Sequence, residues 1–311
     1  MKKIDIIVPC YNEEAVLRET SHRLYKIINK LIKNNVISDE SKIIFVDDGS
    51  KDNTWAIIKE LSLNNNIFKG IKLSRNRGHQ NALLAGLQYT KADAAISIDA
   101  DLQDDVNIIP EMIHKFLSGI HIVYAARKKR KTDSFFKRNI AQTFYRLMLM
   151  MGIEVVYNHA DYRLMSREVL DALKQYKEVN MFLRGIIPDI GFLFDIVYFD
   201  RDKRFAGEAK YNFRSSFALA VDGITSFSIT PLRIITFLGF VIFIISLIVT
   251  FWVIYIRLFT DKSVPGWAST VLPIYFIGGI QILSLGIIGE YIGKIYLETK
   301  ARPRYFIEEL V

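Results

Sequence analysis

Five apolar runs in the first part of the chain each end in a cluster of polar side chains, and this repeat limits the fold more than any other feature. The runs lie in IDIIVP (Ile4 to Pro9), KIIFVDDGS, FKGIKLS, AISIDADLQDD and IHIVYAAR. The clusters that end them are PCYNEE, DDGSKDNT, SRNRGHQN, DADLQDD and ARKKRK. Amphipathic segments separate the runs: Glu13 to Lys33, Asp52 to Leu63, His79 to Tyr89 and Val106 to Leu117. Asp52 or Ser50 is the expected cap of the second. Such alternation predicts an open α/β sheet, mostly parallel, with ligands bound beyond the carboxyl ends of its strands. One polar loop is ordinary turn chemistry. Five on one sheet edge predict a shared site.

The fourth cluster sets the chemistry. Asp99 and Asp101, one residue apart as a strand opens into a loop, can both turn a carboxylate to one cation. Gln103 offers a neutral oxygen at the next alternate position. Hard oxygen donors suit Mg²⁺ or Mn²⁺, and Mg²⁺ is usually held by few carboxylates together with substrate phosphates. Asp99 is read as part of the strand, and Asp104 and Asp105 as cap and charge complement of the following helix. The net charge of +8 points to an anionic partner: nucleic acid, anionic lipid or a phosphorylated substrate. Cys10 is the only cysteine, which excludes an internal disulfide and argues against a Cys/His zinc site. His79 and His159 read as hydrogen-bonding groups beside the site.

Half of all residues are hydrophobic, and the excess sits late in the chain. Ile234 to Ile256 and Ser263 to Gly289 carry no charge, and each exceeds or matches the ~20 residues that cross a bilayer core of ~30 Å. Arg214 and Arg233 flank one side, and Lys294, Lys300, Arg302 and Arg304 the other, against Arg257, Asp261 and Lys262 in the short loop between. By the positive-inside rule both termini are cytoplasmic in a multi-pass protein of the cell membrane. The N-terminal MKKIDIIVPCYNEE lacks a secretory apolar region, which agrees. The expected division is a cytosolic catalytic domain at 1–215, a juxtamembrane amphipathic segment at 216–233, spans at 234–256 and 268–290, and a cytosolic tail at 291–311. Phe136, Ile140, Phe144, Leu147, Met148 and Met151 recur at helical spacing with basic residues among them, which fits either a helix in the headgroup layer or core packing. Gly278, Gly279, Gly286 and Gly289 permit close helix contact, and so a homo-oligomer.

VPCYNEE, FVDDGSKDNT, NRGHQNALLAG and DADLQDD, in that order, resemble family-two glycosyltransferases with the nucleotide-sugar-binding fold called GT-A. DYRLMSREV, FAGEAKYNFRS and the two apolar runs are similar to the polyprenyl-phosphate branch, which includes dolichol-phosphate mannose synthases and bacterial undecaprenyl-phosphate glucosyltransferases. The resemblance implies that Pro9, Tyr11, Asn12 and Glu13 line the nucleotide pocket, with Asp47 or Asp48 in contact with the nucleoside. It implies that Asp99, Asp101 and Gln103 hold the metal and diphosphate. Asp161 then stands near sugar and acceptor with Arg163 beside it, and Arg127 follows the fifth strand. Lys210 and Tyr211 match a segment that usually has Ser where this chain has Ala209. No glutamine-arginine-tryptophan signature of processive synthases is present, so one sugar per acceptor is expected.

The expected partners are a nucleotide-diphosphate sugar, a polyprenyl phosphate and the membrane, with no nucleic acid. A divalent metal neutralises the departing diphosphate. A lipid phosphate is already mostly ionised near neutral pH, with a second pKa of about 6, and needs positioning more than deprotonation. Arg127, Lys210, Arg214 and part of the run Lys128 to Lys131 are the cations that would supply it. Asp161 is assigned orientation or general-base help, with inversion at the anomeric carbon as the resemblance implies; the alternative is that it serves only as an internal partner of Arg163. The rival from another class is a catalytically inactive membrane partner of a glycan assembly or flipping complex. Phosphoryl transfer would place its acids after the first strand, and no G-x-G-x-x-G follows any strand.

Overall fold

The structure, a computed structural model, describes residues 1–127, 159–179, 182–199, 230–259 and 267–311. The chain forms two compact units, Met1–Ala218 with Ala301–Val311, and Leu219–Lys300.

The first unit is built on an eight-stranded mixed sheet. Its strands are β1 (Ile4–Cys10), β2 (Ile43–Asp47), β3 (Phe68–Leu73), β4 (Ala94–Ser97), β5 (Ile122–Arg127), β6 (His159–Ser166), β7 (Phe194–Phe199) and β8 (Ile307–Leu310), in the order β7-β5-β6-β4-β1-β2-β3-β8. The pairs β1–β2, β1–β4, β2–β3 and β5–β7 are parallel; β4–β6, β5–β6 and β3–β8 are antiparallel. The first five strands therefore point the same way, and their polar ends share one edge. The intervening helices are α1 (Leu17–Lys33), α2 (Thr54–Asn64), α3 (His79–Tyr89), α4 (Ile109–Leu117), α5 (Arg167–Leu173) and α6 (Leu183–Asp189).

Strand alternation sorts side chains onto two faces. Ile4, Ile6, Val8, Ile43, Phe45, Ala94, Ile96, Val123, Ala125, Tyr162 and Leu164 point to one face, where Leu24 and Ile28 of α1, Ile57 and Ile58 of α2 and Met112 of α4 close the core. On the other face α3 lies so near the sheet that a Cβ on Gly86 would stand 2.3 Å from Ile7 Cγ2 and 2.9 Å from Val46 Cγ2. Only glycine fits there.

Several local expectations need adjustment. α1 starts at Leu17 rather than at Glu13. Asn53 precedes α2, while the Asp52 carboxylate accepts the Thr54 N–H at 3.0 Å. A short 3-10 turn, Val106–Ile108, leads into α4; Asp105 caps it by accepting the Asn107 N–H at 2.9 Å. The neighbouring Asp104 is buried, and its carboxylate faces Arg127 Nη2 at 3.5 Å. β4 ends at Ser97, so Asp99 lies just past the strand. Within the expected cytosolic tail at 291–311, a helix runs on to Lys300 and Ile307–Leu310 joins the sheet as β8, covering the edge of β3.

In the second unit two long helices, α7 (Thr230–Phe259) and α8 (Trp267–Lys300), contain the two stretches 234–256 and 268–290 that the sequence expects to span. Among the described residues one stretch, Ile277–Lys300, is long and apolar enough to cross a membrane, and none of it is buried inside the protein. A shorter apolar stretch spans Thr230–Ile242.

Candidate active site

The site grows from the paired ends of β4 and β6. Ser97 is opposite Arg163 in the antiparallel register, and continuing that register by two residues sets Asp99 opposite Asp161. The Ser97 hydroxyl donates to the Asp161 carbonyl at 2.6 Å, which fixes the two strand ends together. Asp99, Asp161, Arg163 and Tyr124 all point to the face away from the apolar core, since their neighbours in sequence are the ones in it.

Past Asp99 the chain turns sharply. Leu102 is buried with φ +57, a conformation costly for a leucine, and the Asp101 carboxylate accepts the Gln103 N–H at 3.1 Å. Thr20 of α1 holds the loop by donating its hydroxyl to the Ala100 carbonyl at 2.7 Å.

Two further elements bring basic side chains over this edge. His79, the first residue of α3, places Nε2 3.5 Å from Asp99 Oδ1 and 3.8 Å from Asp161 Oδ2. Arg184 of α6 grips Asp161 with two hydrogen bonds, Nε to Oδ1 at 3.1 Å and Nη2 to Oδ2 at 2.9 Å. Arg163 Nη2 donates to the same Oδ1 at 2.6 Å. Arg163 is fully buried, and its Nε and Nη1 have no hydrogen-bond partner.

The two acids consequently sit in opposite electrostatic states. Burial alone would raise the pKa of Asp161, but Arg184 and Arg163 overcome it and hold the carboxyl well below the usual carboxylate range. Asp99 is raised, first by burial and then by the nearby Asp161 and Asp101, with His79 opposing. Its side chain is partly open to solvent, yet Oδ1 is buried and accepts no hydrogen bond. Tyr124, across from Arg163, is pushed up to about 12 by burial.

The remaining expected residues divide into three groups. Tyr11 to Glu13 follow β1 and interlock with the loop after β2. Asn12, at φ +51, accepts the Lys51 N–H at 2.8 Å and donates its own N–H to Ser50 Oγ at 2.9 Å; the Glu13 N–H donates to Thr54 Oγ1 at 2.9 Å. Pro9 lies within β1, beside Val46 of β2. Asp47 and Asp48 are buried and both are raised by that burial. Asp48 accepts the N–H groups of Arg77 at 2.7 Å and Gly78 at 2.9 Å, so it shapes the turn that leads to His79. Gly49 makes this turn possible, because a Cβ there would stand 2.7 Å from the backbone of Arg75 and Asn76. Arg127 closes β5 on the same edge. Lys210, Tyr211 and Arg214, the run Lys128 to Lys131, the segment around Phe136 to Met151 and that at 216–229 lie outside the described residues.

Asp99 and Asp101 supply the hard oxygens that a divalent cation takes, and the unpartnered Asp99 oxygen fits that use. Among the described residues no three His, Cys, Asp or Glu side chains converge as a cage. A cation here would draw its other ligands from substrate and water, which is the habit of Mg²⁺.

The glycosyl transferase family 2 model matches residues 5–174, more than half of the chain. The chain belongs to that family. A member of it is a glycosyltransferase, with an α/β GT-A fold. An uncharacterized glycosyltransferase of Bacillus subtilis, YkoT, is 50% identical over 98% of this chain and 91% of its own length. The bactoprenol glucosyl transferase of Shigella phage SfX is 40% identical over 98% of this chain and 99% of its own. A prophage bactoprenol glucosyl transferase homolog of Escherichia coli is likewise 40% identical, over 99% of each. Among solved structures, glucosyl-3-phosphoglycerate synthase from Mycobacterium tuberculosis is 17% identical over 72% of this chain and 76% of that one, with a TM-score of 0.47.

Arg184 and His79 complete the cluster. The sequence reads His79, inside the motif NRGHQNALLAG, as a hydrogen-bonding group beside the site, and it does not single out Arg184. Arg184 had no such signal, being an ordinary basic residue 23 positions from its partner Asp161.

Proposed function

We propose that this glycosyltransferase is membrane-anchored and inverting, and moves one sugar from a nucleotide-diphosphate sugar to a polyprenyl (undecaprenyl) phosphate. The observation that carries the reading is the pairing of opposite charges on one strand edge: Asp99 beside Asp161, with Arg163 and Arg184 around them and the His79 ring within reach of both acids. Acids there suit a cation, and arginines suit phosphate. End-to-end likeness to proteins named bactoprenol glucosyl transferases supports the acceptor class, and favours UDP-glucose over UDP-N-acetylglucosamine as donor.

Asp99 and Asp101, with the Gln103 side chain, would hold Mg²⁺ or Mn²⁺, which when bound offsets charge on the departing diphosphate. Pro9, Tyr11, Asn12 and Glu13 would line the base and ribose, with Asp47 and Asp48 buried behind them. Asp161 is a poor general base, because its proton affinity is suppressed by two guanidinium groups. Its role is to hold Arg184 and Arg163 in place. A lipid phosphate is largely ionised already, so Arg184 and Arg127 need only align it for attack on the anomeric carbon. Lys210, Tyr211 and Arg214 are the further phosphate contacts in this reading.

Connectivity supports two membrane crossings. β8 pairs with β3, so residues 307–310 must lie on the same side of a membrane as residues 68–73. The chain between them can cross only an even number of times, and α7 and α8 are long enough for two, at about 1.5 Å per residue. Exposed Ile282, Leu283, Leu285 and Ile292 on α8, and Phe237, Phe240, Ile248 and Phe251 on α7, suit lipid. The sheet unit and both termini would be cytoplasmic. A Ser263→Cys protein is expected to label from outside intact cells; labelling only after permeabilisation would overturn this topology.

The test of the reaction is turnover in detergent. Purified protein receives undecaprenyl phosphate, Mn²⁺ or Mg²⁺ and each nucleotide sugar in turn, with Asp101→Asn beside it. Lipid-dependent release of nucleoside diphosphate from one donor, lost in the variant, is expected. Release that ignores the lipid, or that survives in the variant, would contradict the reading.

A further inference from the structure

The segment that follows α8 makes a set of contacts that the transferase reading does not use. Three consecutive residues each bond to a different part of the active-site scaffold. Arg304 Nη2 donates to the Tyr176 carbonyl at 2.8 Å. The Tyr305 hydroxyl donates to Gln88 Oε1 on α3 at 2.6 Å. The Phe306 carbonyl accepts the Ser74 N–H at 3.0 Å. Beyond them β8 is pinned along β3. Val311 and Gly70 exchange backbone hydrogen bonds at 3.0 and 2.9 Å, Trp55 Nε1 donates to Glu309 at 2.8 Å, and Lys72 pairs with Glu308 at 2.9 Å.

These anchors converge on the two residues brought over Asp161. Ser74 opens the turn that ends at His79, and Gln88 lies near the other end of the helix that His79 begins. Tyr176 in turn donates its hydroxyl to Asp189 at 2.9 Å, at the end of the helix that carries Arg184. The two helices are also tied at their starts, where Gln80 Oε1 accepts the Leu183 N–H at 3.0 Å.

We infer that Arg304, Tyr305 and Phe306 form a splint that sets α3 and α6 so that His79 and Arg184 reach Asp99 and Asp161. Tyr305 is therefore a positioning residue for the donor side of the site through His79, and Arg304 for the acceptor side through Arg184. Arg304 also has a second reading, as a flanking charge that sets membrane orientation. The splint gives it a specific structural duty, and a lysine at 304 would keep the charge while losing the planar donor.

Hydrogen exchange on the full-length protein in detergent tests this independently of turnover. In Tyr305→Phe, amides 74–80 are expected to exchange about fivefold faster, the factor that one ordinary hydrogen bond contributes. Amides 43–47 in β2 should be unchanged. In Arg304→Lys, the faster exchange should fall at 183–189. Unchanged rates at 74–80, or an equal rise at 43–47, would overturn the inference, since the second would mean a general loss of stability. The kinetic readout rests on the transferase reading: Tyr305→Phe should raise KM for the nucleotide sugar several-fold and leave kcat within about twofold. Faster exchange with an unchanged KM would also overturn a positioning role. If the wild type turns over no donor, the transferase reading fails while the exchange comparison still decides the splint.

Discussion

On the face covered by α1, α2 and α4, the strands present Ile6, Val8, Phe45, Ile96 and Leu164, all without exposure. On the opposite face, at the ends of β4 and β6, they present Asp99, Asp161 and Arg163. The same backbone supports both, since each strand offers alternate residues to alternate sides. The first face is insensitive to pH and holds the sheet. The second gathers charges that burial penalises, and only close pairing keeps them there. Charge of this kind tolerated beside a good core marks the working side of the sheet.

Substitutions on the two faces should therefore fail in different ways. Phe45→Ala, which empties a buried ring site on the apolar face, is expected to lower unfolding free energy by about 3–5 kcal/mol. Its effect on catalysis should be only that of the lost folded fraction, which thermal unfolding and specific activity can separate. Asp161→Asn should cost about 3 kcal/mol, because it leaves the buried Arg163 without its counter-charge. Activity should fall with it even at temperatures where the protein is folded. Asp105→Ala removes the cap ahead of α4 and should cost about 1 kcal/mol, without a change in KM. Equal losses from Phe45→Ala and Asp161→Asn in folded-state activity would break the contrast between the faces.

The smallest stability effect, and the opposite sign, is expected for Asp99→Asn. Asp99 is raised in the folded state, so its charge opposes folding at neutral pH. Stability returns as pH falls through the raised folded value towards the unfolded one of about 3.9. In metal-free buffer the variant should thus melt slightly above wild type at pH 7, with the gap closing towards pH 4. Asp161 behaves in reverse: its contribution is present above about pH 3.9 and is lost only as pH falls through its depressed folded value. A gap that widens on acidification would show that Asp99 is not the strained group.

Much of the first 127 residues was legible because each strand is a local apolar run and each loop a local polar cluster. His79 to Tyr89 matches its helix in full, and Ile122–Arg127 falls within its expected run. The pairing of distant segments was not legible. Nothing in YFIEELV indicates that it adds a strand beside β3, because its apolar residues do not alternate. The partnership of Asp161 with Arg184 depends on where α6 packs, and that of Asp104 with Arg127 on the turn after β4. Motif likeness placed Asp161 in the site with Arg163 beside it, but only the geometry reveals that Arg184 joins Arg163 on the same carboxylate and makes it a weak base.

The central claim is that Asp99 and its neighbours hold a donor diphosphate through a divalent cation. The most direct measurement is calorimetric binding of UDP to the detergent-purified protein with and without Mn²⁺, for wild type and Asp99→Asn, with no lipid present. The account predicts binding that requires the cation and disappears in a variant at least as stable as wild type. Binding that needs no cation, or that survives Asp99→Asn unchanged, would contradict it.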